Sequence, residues 1–509
     1  MRAALVALYV VTRLRGLGLL PIFLDETLHV RWALLVSQGD KPWDATWKWG
    51  RALTIWMGAL VSPWAEDLLR ANRLVSVAIG VATLFATFEI ARRLLGPREA
   101  FVAGLFYVLC PFTLFYDRMA LTEAGLSAAF ALALLFSIRM SESGRPLDAA
   151  LAGVMLALAV LVKAIGVLVL PIPFVTLLLL GRIRERWKLL AVAYAVGVPP
   201  IALALRLFVA SENAQHMAQL FTGGGGGALA ARLGQNLAEG AGWLWTWWTA
   251  PLAALAAIGA LAALWRRDRK GLLLALLALY PLVAFSAVLT WRMPRYLLPA
   301  SVPLLVLAAG ALVRLASWAA DRLPASAPRL AREGLLAFAL VAALLPALRL
   351  DRAFWTDPSR AAIPAPDRFQ YVLGWPSGYG VRDTERLVRQ ELEQHPAGLT
   401  VVVHANRYQN LRMTPLTLGL AFAREPRVRL EDWDFADPTA LQAFEKWAAA
   451  GPTLLVVPRA DASAPAPDAA AWRHLAMLVA HTTKPDGQPC DDVYRLCAPR
   501  DCAGAPTRP

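Results

Sequence analysis

About eleven stretches of mostly apolar residues, most of them near the ~20 residues that a helix needs to cross a bilayer and 149–162 shorter, fill the chain up to residue 350. They run 3–22, 71–91, 99–116, 120–138, 149–162, 164–180, 189–209, 250–264, 271–289, 298–314 and 334–350. The whole chain is 58% apolar, against about 45–50% for soluble domains. Fold class follows: an α-helical polytopic membrane protein. Met1–Leu24 lacks a small-residue cleavage site and reads as a retained first span. Arg13 and Arg15 interrupt it, so their side chains must lie against protein or an interface.

Charge orients the spans. Residues 351–509 hold 18 of the 51 basic and 19 of the 37 acidic residues, so the net charge of +14 belongs to the apolar part. Nucleic-acid binding explains this poorly, because many of the basic residues lie in short loops between spans. Arg92-Arg93, Arg139 to Arg145, Arg182 to Lys188, Arg266 to Lys270 and Arg314 to Arg332 fall in alternate loops, which the positive-inside rule makes cytoplasmic. The expected topology is a cytoplasmic N-terminus and an extracytoplasmic C-terminus in the plasma (inner) membrane. The outer segments are then 23–70, 117–119, Lys163, 210–249, 290–297 and the tail.

In the first outer loop, Thr27–Ser37 and Ala52–Pro63 are too short to span and read as interfacial helices. Trp32, Trp43, Trp47, Trp49, Trp56 and Trp64 suit an interface, as does the run Trp243 to Trp248. Gly223–Gly227 reads as a flexible stretch, a gate or a passive linker. The domains expected are a catalytic membrane domain over 1–350, a linker over 351–380 and an extracytoplasmic α/β domain over 381–509. Within the last, Arg382–Gln394 and Pro438–Ala450 read as helices, and Leu399–His404 and Thr453–Val457 as strands. No glycine-rich phosphate loop accompanies them. An outer location allows Cys490 to pair with Cys497 or Cys502. No Cys-x-x-Cys or His-Glu-x-x-His spacing demands a metal; a divalent ion stays possible in principle.

Charged residues at the expected outer face carry the chemistry. Asp25-Glu26 directly follows the first apolar segment, and Asp117-Arg118 sits in a short turn. Lys163 is the one charged residue between Asp148 and Arg182, and Arg292 and Arg295 flank another short turn. Acids and cations at a membrane face suit a lipid-linked phosphosugar. Lys163, Arg292, Arg295 and Arg118 would hold its phosphate and take up leaving-group charge. A carboxylate of Asp25, Glu26 or Asp117 would accept the proton of an attacking hydroxyl, and one direct displacement inverts the anomeric configuration. Each residue has a plainer use: Asp25-Glu26 as a helix cap, Asp117-Arg118 as an ion pair, Lys163 as a snorkelling cation, the arginines as lipid contacts. Glu123, just inside the next span, reads as an acid that satisfies a buried partner.

Taken in order, Leu24-Asp25-Glu26, Arg70-Ala71-Asn72-Arg73-Leu74, Tyr116-Asp117-Arg118-Met119-Ala120-Leu121-Thr122-Glu123, Lys163-Ala164-Ile165-Gly166 and Arg295-Tyr296-Leu297-Leu298-Pro299 resemble the GT-C glycosyltransferases. The likeness is to the protein O-mannosyltransferase and aminoarabinose transferase group, over roughly residues 1–310. It implies a polyprenyl-phosphate sugar donor, a glycan, lipid or protein acceptor, Asp25 as base, and Glu26 and Asp117 in acceptor binding. The tail resembles that of bacterial relatives through Asp367 to Gly380, a stretch for which the sequence offers no mechanism. A transporter or flippase of a lipid-linked sugar would use the same cations, but such proteins often show two related halves, and no repeat appears here.

Overall fold

The apolar segments fold as helices, some of them running long enough to span and others shorter or broken. The computed structural model describes residues 1–41, 46–47, 49–211, 214, 229–288, 292–324, 329–404, 413–435, 437, 439–459 and 475–496. They form two compact units, 1–19 with 32–364, and 20–31 with 365–509. Among the described residues, seven helices are long and apolar enough to cross a membrane. They match seven of the expected segments: α4 (Leu68–Leu94), α7 (Glu123–Ser143), α10 (Ile183–Val209), α11 (Leu229–Trp265), α12 (Arg269–Val288), α13 (Ser301–Ala320) and α14 (Arg329–Thr356).

The other four expected segments are shorter or broken. Residues 3–22 are helical only over α1 (Arg2–Leu14). Residues 99–116 divide into α5 (Pro97–Leu109) and α6 (Pro111–Tyr116). Cys110 between them is extended (φ −80°, ψ 122°), because Pro111 disfavours helical backbone in the residue before it. α8 (Pro146–Val162) has 17 residues. Segment 164–180 is a 3₁₀ turn, Ala164–Val169, followed by α9 (Ile172–Leu179), with Pro171 and Pro173 at the join. The two short helices of the first loop are α2 (Leu24–Gln38) and α3 (Ala52–Val61). Trp247 and Trp248 are fully buried in α11, packed with Phe112, Phe115 and Phe354 around Trp247. These two tryptophans are core, a correction to the interfacial reading. Gly223–Gly227 lies outside the described residues.

The second unit is an α/β domain. Strands β1 (Leu399–His404), β2 (Val428–Trp433), β3 (Thr453–Pro458), β4 (Ala476–Thr483) and β5 (Pro489–Leu496) form one sheet in the order β2-β1-β3-β5-β4. The first three are parallel and the last two antiparallel. Parallel strands need both faces covered. Val401, Val403, Leu454 and Val456 pack against α15 (Val381–Gln394) and α16 (Met413–Ala421) on one face. Val402, Leu455 and Val457 pack against α17 (Ala440–Ala450) on the other. A tight turn, Lys484-Pro485-Asp486-Gly487-Gln488, joins β4 to β5. Lys484 N–H donates to Gln488 O at 2.8 Å, and Gly487 takes the left-handed φ of +84° that the turn requires.

Residues 351–380, read from sequence as a linker, are ordered. α14 continues to Thr356, and two short helical turns fill Ala365–Leu373. Pro376–Gly378 follows as a short strap. Phe23 pairs with Ser377 in an antiparallel bridge, and Leu24 N–H donates to Pro376 O at 3.1 Å. Cys490 is a buried thiol; Cys497 and Cys502, its expected partners, lie outside the described residues.

Candidate functional site

The expected site residues fall into both units, Asp25 and Glu26 in the second and the rest in the first. Asp25 and Glu26 open α2 and do different things there. Glu26 is fully buried, and its Oε2 accepts from the Phe23 backbone N–H at 3.2 Å. Phe23 is the residue before the helix, so this is half of a capping box, with the acid three residues in reaching back to an orphan donor. Thr27 reinforces it, donating through both N–H and Oγ1 to Phe23 O. Asp25 stands one residue earlier and stays partly exposed. Of the two acids, Glu26 is thus engaged in holding the helix end, and Asp25 keeps a face toward its surroundings.

Asp117 is buried in the first unit and saturated. Its carboxylate accepts from Tyr107 Oη at 3.0 Å and Tyr9 Oη at 3.2 Å, and pairs with Arg13 at 3.3 Å. The partner of Asp117 is Arg13, not the adjacent Arg118. Arg13 also donates to Val108 O and, at 3.2 Å, to Tyr107 O. These are carbonyls of the last turn of α5, which Pro111 leaves without helical donors; a basic side chain at a helix C-terminus supplies them. Its guanidinium stacks on Tyr9 at 4.4 Å. Gly80 of α4 makes room: a Cβ there would lie 1.9 Å from Tyr9 Oη and 3.0 Å from the Asp117 carboxylate. Arg118, 8% exposed, donates to Arg15 O at 2.8 Å. Asp351 of α14 is also fully buried, within the field of Arg13 and Arg118.

Glu123 anchors a second cluster. It is the first residue of α7, where the helix dipole favours an acid. Lys163 caps the C-terminus of α8, where the dipole favours a cation. Lys163 Nζ meets Glu123 Oε1 at 2.6 Å, and Arg295 Nε lies 3.6 Å from the same oxygen. Lys163 also stands over the Tyr296 ring at 4.7 Å. The Lys163 and Arg295 side chains keep 14% and 8% exposure against 4% for Glu123. Arg292 is engaged elsewhere: it donates to Asn236 O at 2.8 Å, pairs with Glu239 at 2.6 Å and stacks on Trp243.

Sequence reading paired Glu123 with an unnamed buried partner; that partner is Lys163, one of the expected phosphate cations. Arg51 was missed. It precedes α3, and its charge acts on Glu123. Its only sequence signal was a lone arginine among tryptophans. Among the described residues no group of three His, Cys, Asp or Glu is placed to hold a metal ion.

Comparison with known proteins bears on this arrangement. Residues 51–207 match the family described as dolichyl-phosphate-mannose-protein mannosyltransferase. The fold is similar to that of ArnT from Cupriavidus metallidurans bound to undecaprenyl phosphate, with 17% identity, 99% of each chain covered and a TM-score of 0.59. The apo state of the same protein gives 16% identity, 99% of each chain and 0.61. The Archaeoglobus fulgidus oligosaccharyltransferase, in complex with zinc and sulfate, is similar over 88% of this chain and 67% of its own, with 12% identity and a TM-score of 0.52. No curated protein matches in sequence. Together they support the GT-C glycosyltransferase that the order of the sequence motifs indicated: a multi-pass membrane enzyme with a small C-terminal sheet domain.

Proposed function

We propose that this enzyme transfers a sugar from a polyprenyl-phosphate donor to a hydroxyl of an extracytoplasmic glycan, lipid or protein, with inversion at the anomeric carbon. The observation that carries the reading is the Glu123–Lys163–Arg295 cluster. Two helix ends and a turn bring two cations onto one buried carboxylate, and both cations retain some exposure. A buried carboxylate fixes the cations in place, so little reorganisation is needed when a phosphate arrives. The likeness to ArnT bound to undecaprenyl phosphate supports the same ligand class. The enzyme is assigned to the plasma (inner) membrane with its N-terminus cytoplasmic and its C-terminal domain outside, on the distribution of Lys and Arg among the loops.

The roles follow residue by residue. Asp25, partly exposed, takes the proton as the acceptor oxygen bonds to the anomeric carbon. The bond from that carbon to the phosphate oxygen breaks, and Lys163 and Arg295 stabilise the polyprenyl phosphate that leaves. Glu26 supports Asp25 by capping α2. Arg13, through Asp117, holds the end of α5 and the start of the turn that leads to Glu123.

Asp25→Asn tests the base. Asn keeps the shape and hydrogen-bonding reach of Asp but cannot take a proton. Transfer, followed as the gene-dependent mass increment of cell-envelope glycans, should fall by ~10²–10⁴-fold, with undecaprenyl phosphate binding little changed. A folded Asp25→Asn enzyme with near-normal transfer would sink the assignment.

A further inference from the structure

The stretch Asp367–Gly380 and the role of the α/β domain have the same explanation in the second unit. The N-terminus of α2 is held by more than its own capping residues. Phe23 bridges to Ser377, and Leu24 N–H donates to Pro376 O at 3.1 Å. The Phe23 ring meets Tyr371 edge-on at 4.7 Å. Gly378 lies so close to the incoming chain that a Cβ there would stand 2.2 Å from Ile22 O. The strap Pro376–Gly378 is therefore the surface on which the residues before Asp25 are laid.

The strap is in turn held by the sheet. Lys484, 3% exposed at the tight turn between β4 and β5, donates its Nζ to Ser377 O at 2.7 Å. Ser377 Oγ donates to Val372 O at 3.0 Å, closing the strap on the helical turns before it. Beside the lysine, buried Asp491 accepts from Thr384 at 2.6 Å and Thr414 at 2.9 Å, tying β5 to α15 and α16. Lys484 and Asp491 are both closed off from solvent, and that burial lowers the Lys484 pKa and raises that of Asp491. A long, flexible cation buried there to donate to one carbonyl loses both hydration and rotamer entropy. The strap it holds carries Asp25's neighbours.

We propose that the C-terminal α/β domain positions Asp25, with Lys484 as the positioning residue that clamps the strap Pro376–Gly378 against the start of α2. This rests on the reading of Asp25 as base. The domain then needs no ligand of its own to be essential to transfer.

Lys484→Met keeps the length of the side chain and removes the donor. Amide exchange in D₂O should quicken at Leu24 by about tenfold or more as its bond to Pro376 opens. Transfer should fall by about 10- to 100-fold, the scale for small misplacement of a reacting group. Binding of undecaprenyl phosphate should stay within about twofold, since the phosphate cations belong to the other unit. In an Asp25→Asn background the same Lys484→Met change should cost less than about threefold more, because coupled residues are not additive. Multiplied losses, or a folded Lys484→Met enzyme with ordinary Leu24 exchange and normal transfer, would overturn the proposal. Gly378→Ala, which pushes the strap off Ile22 directly, repeats the test if Lys484→Met does not fold. If neither variant folds, the contact is a stability element and the proposal fails. A normal rate for Asp25→Asn alone would instead count against the base and leave the clamp to be read from exchange.

Discussion

The membrane unit holds two clusters of acid, arginine and tyrosine that differ in how completely they are closed. Around Asp117 every group is sealed: Arg13 and Asp117 have 0% and 1% side-chain exposure, and Arg13 divides its donors among the acid, two threonines and two carbonyls. Around Glu123 the acid is sealed but the cations remain at 14% and 8%. A sealed pair has no capacity for a ligand and serves the fold. A pair whose cations still reach a surface can exchange part of their contact with the carboxylate for contact with a phosphate. The same chemistry thus separates into a structural pin and a candidate binding site by burial alone.

The comparison breaks first at Asp117. Asp117→Ala leaves the Arg13 guanidinium buried without its counter-charge, a change of ~3–5 kcal/mol. The expected outcome is a large drop in melting temperature or in folded yield; a normally stable variant would remove the pin. Lys163→Gln should act on binding instead, weakening undecaprenyl phosphate by ~10- to 100-fold, the scale of a lost charge-assisted hydrogen bond of ~1.5–3 kcal/mol. Its melting temperature should fall less than that of Asp117→Ala, because Arg295 stays on Glu123. Unchanged affinity would move the phosphate site elsewhere. Gly80→Ala sharpens the contrast from the packing side. Its Cβ meets Tyr9 Oη, and overpacking of this kind costs ~1–3 kcal/mol; melting should register it and phosphate affinity should not. Arg292→Gln should do least. Its pairing with half-exposed Glu239 contributes ~0–1 kcal/mol, and phosphate affinity should change less than about threefold. A tenfold loss there would return Arg292 to the phosphate cations, where sequence reading placed it.

The helices and the parallel strands were legible because they rest on local pattern. Residues 399–403 and 453–457 are unbroken β-branched or apolar runs, as strands buried on both faces must be. Strands β2, β4 and β5 were not read. Val428–Trp433 is a polar edge strand, and Pro489–Leu496 has Pro489, Asp491 and Asp492 among its first four residues, types that strands usually avoid. Asp491 is tolerated there only because Thr384 and Thr414, distant in sequence, donate to it. Breaks at Cys110-Pro111 and Pro171 shortened two expected spans, a local signal that apolar length alone overrode.

For the site, the sequence by itself determined the residue types and the ends of helices at which they stand. An acid pair after the first apolar segment, a lysine at the end of α8 and an acid at the start of α7 are consequences of pattern and helix dipole. Only the tertiary structure decided their partners. It gave Arg13 rather than Arg118 to Asp117, joined Lys163 to Glu123 across forty positions, bonded Arg292 to residues of α11, and made Glu26 a cap while leaving Asp25 partly exposed. It also turned an unexplained stretch into the strap beneath α2. The physical reason is that hydropathy and dipoles act along the chain, whereas the pairing of a charge depends on which side chains the folded helices and sheet bring within reach of it.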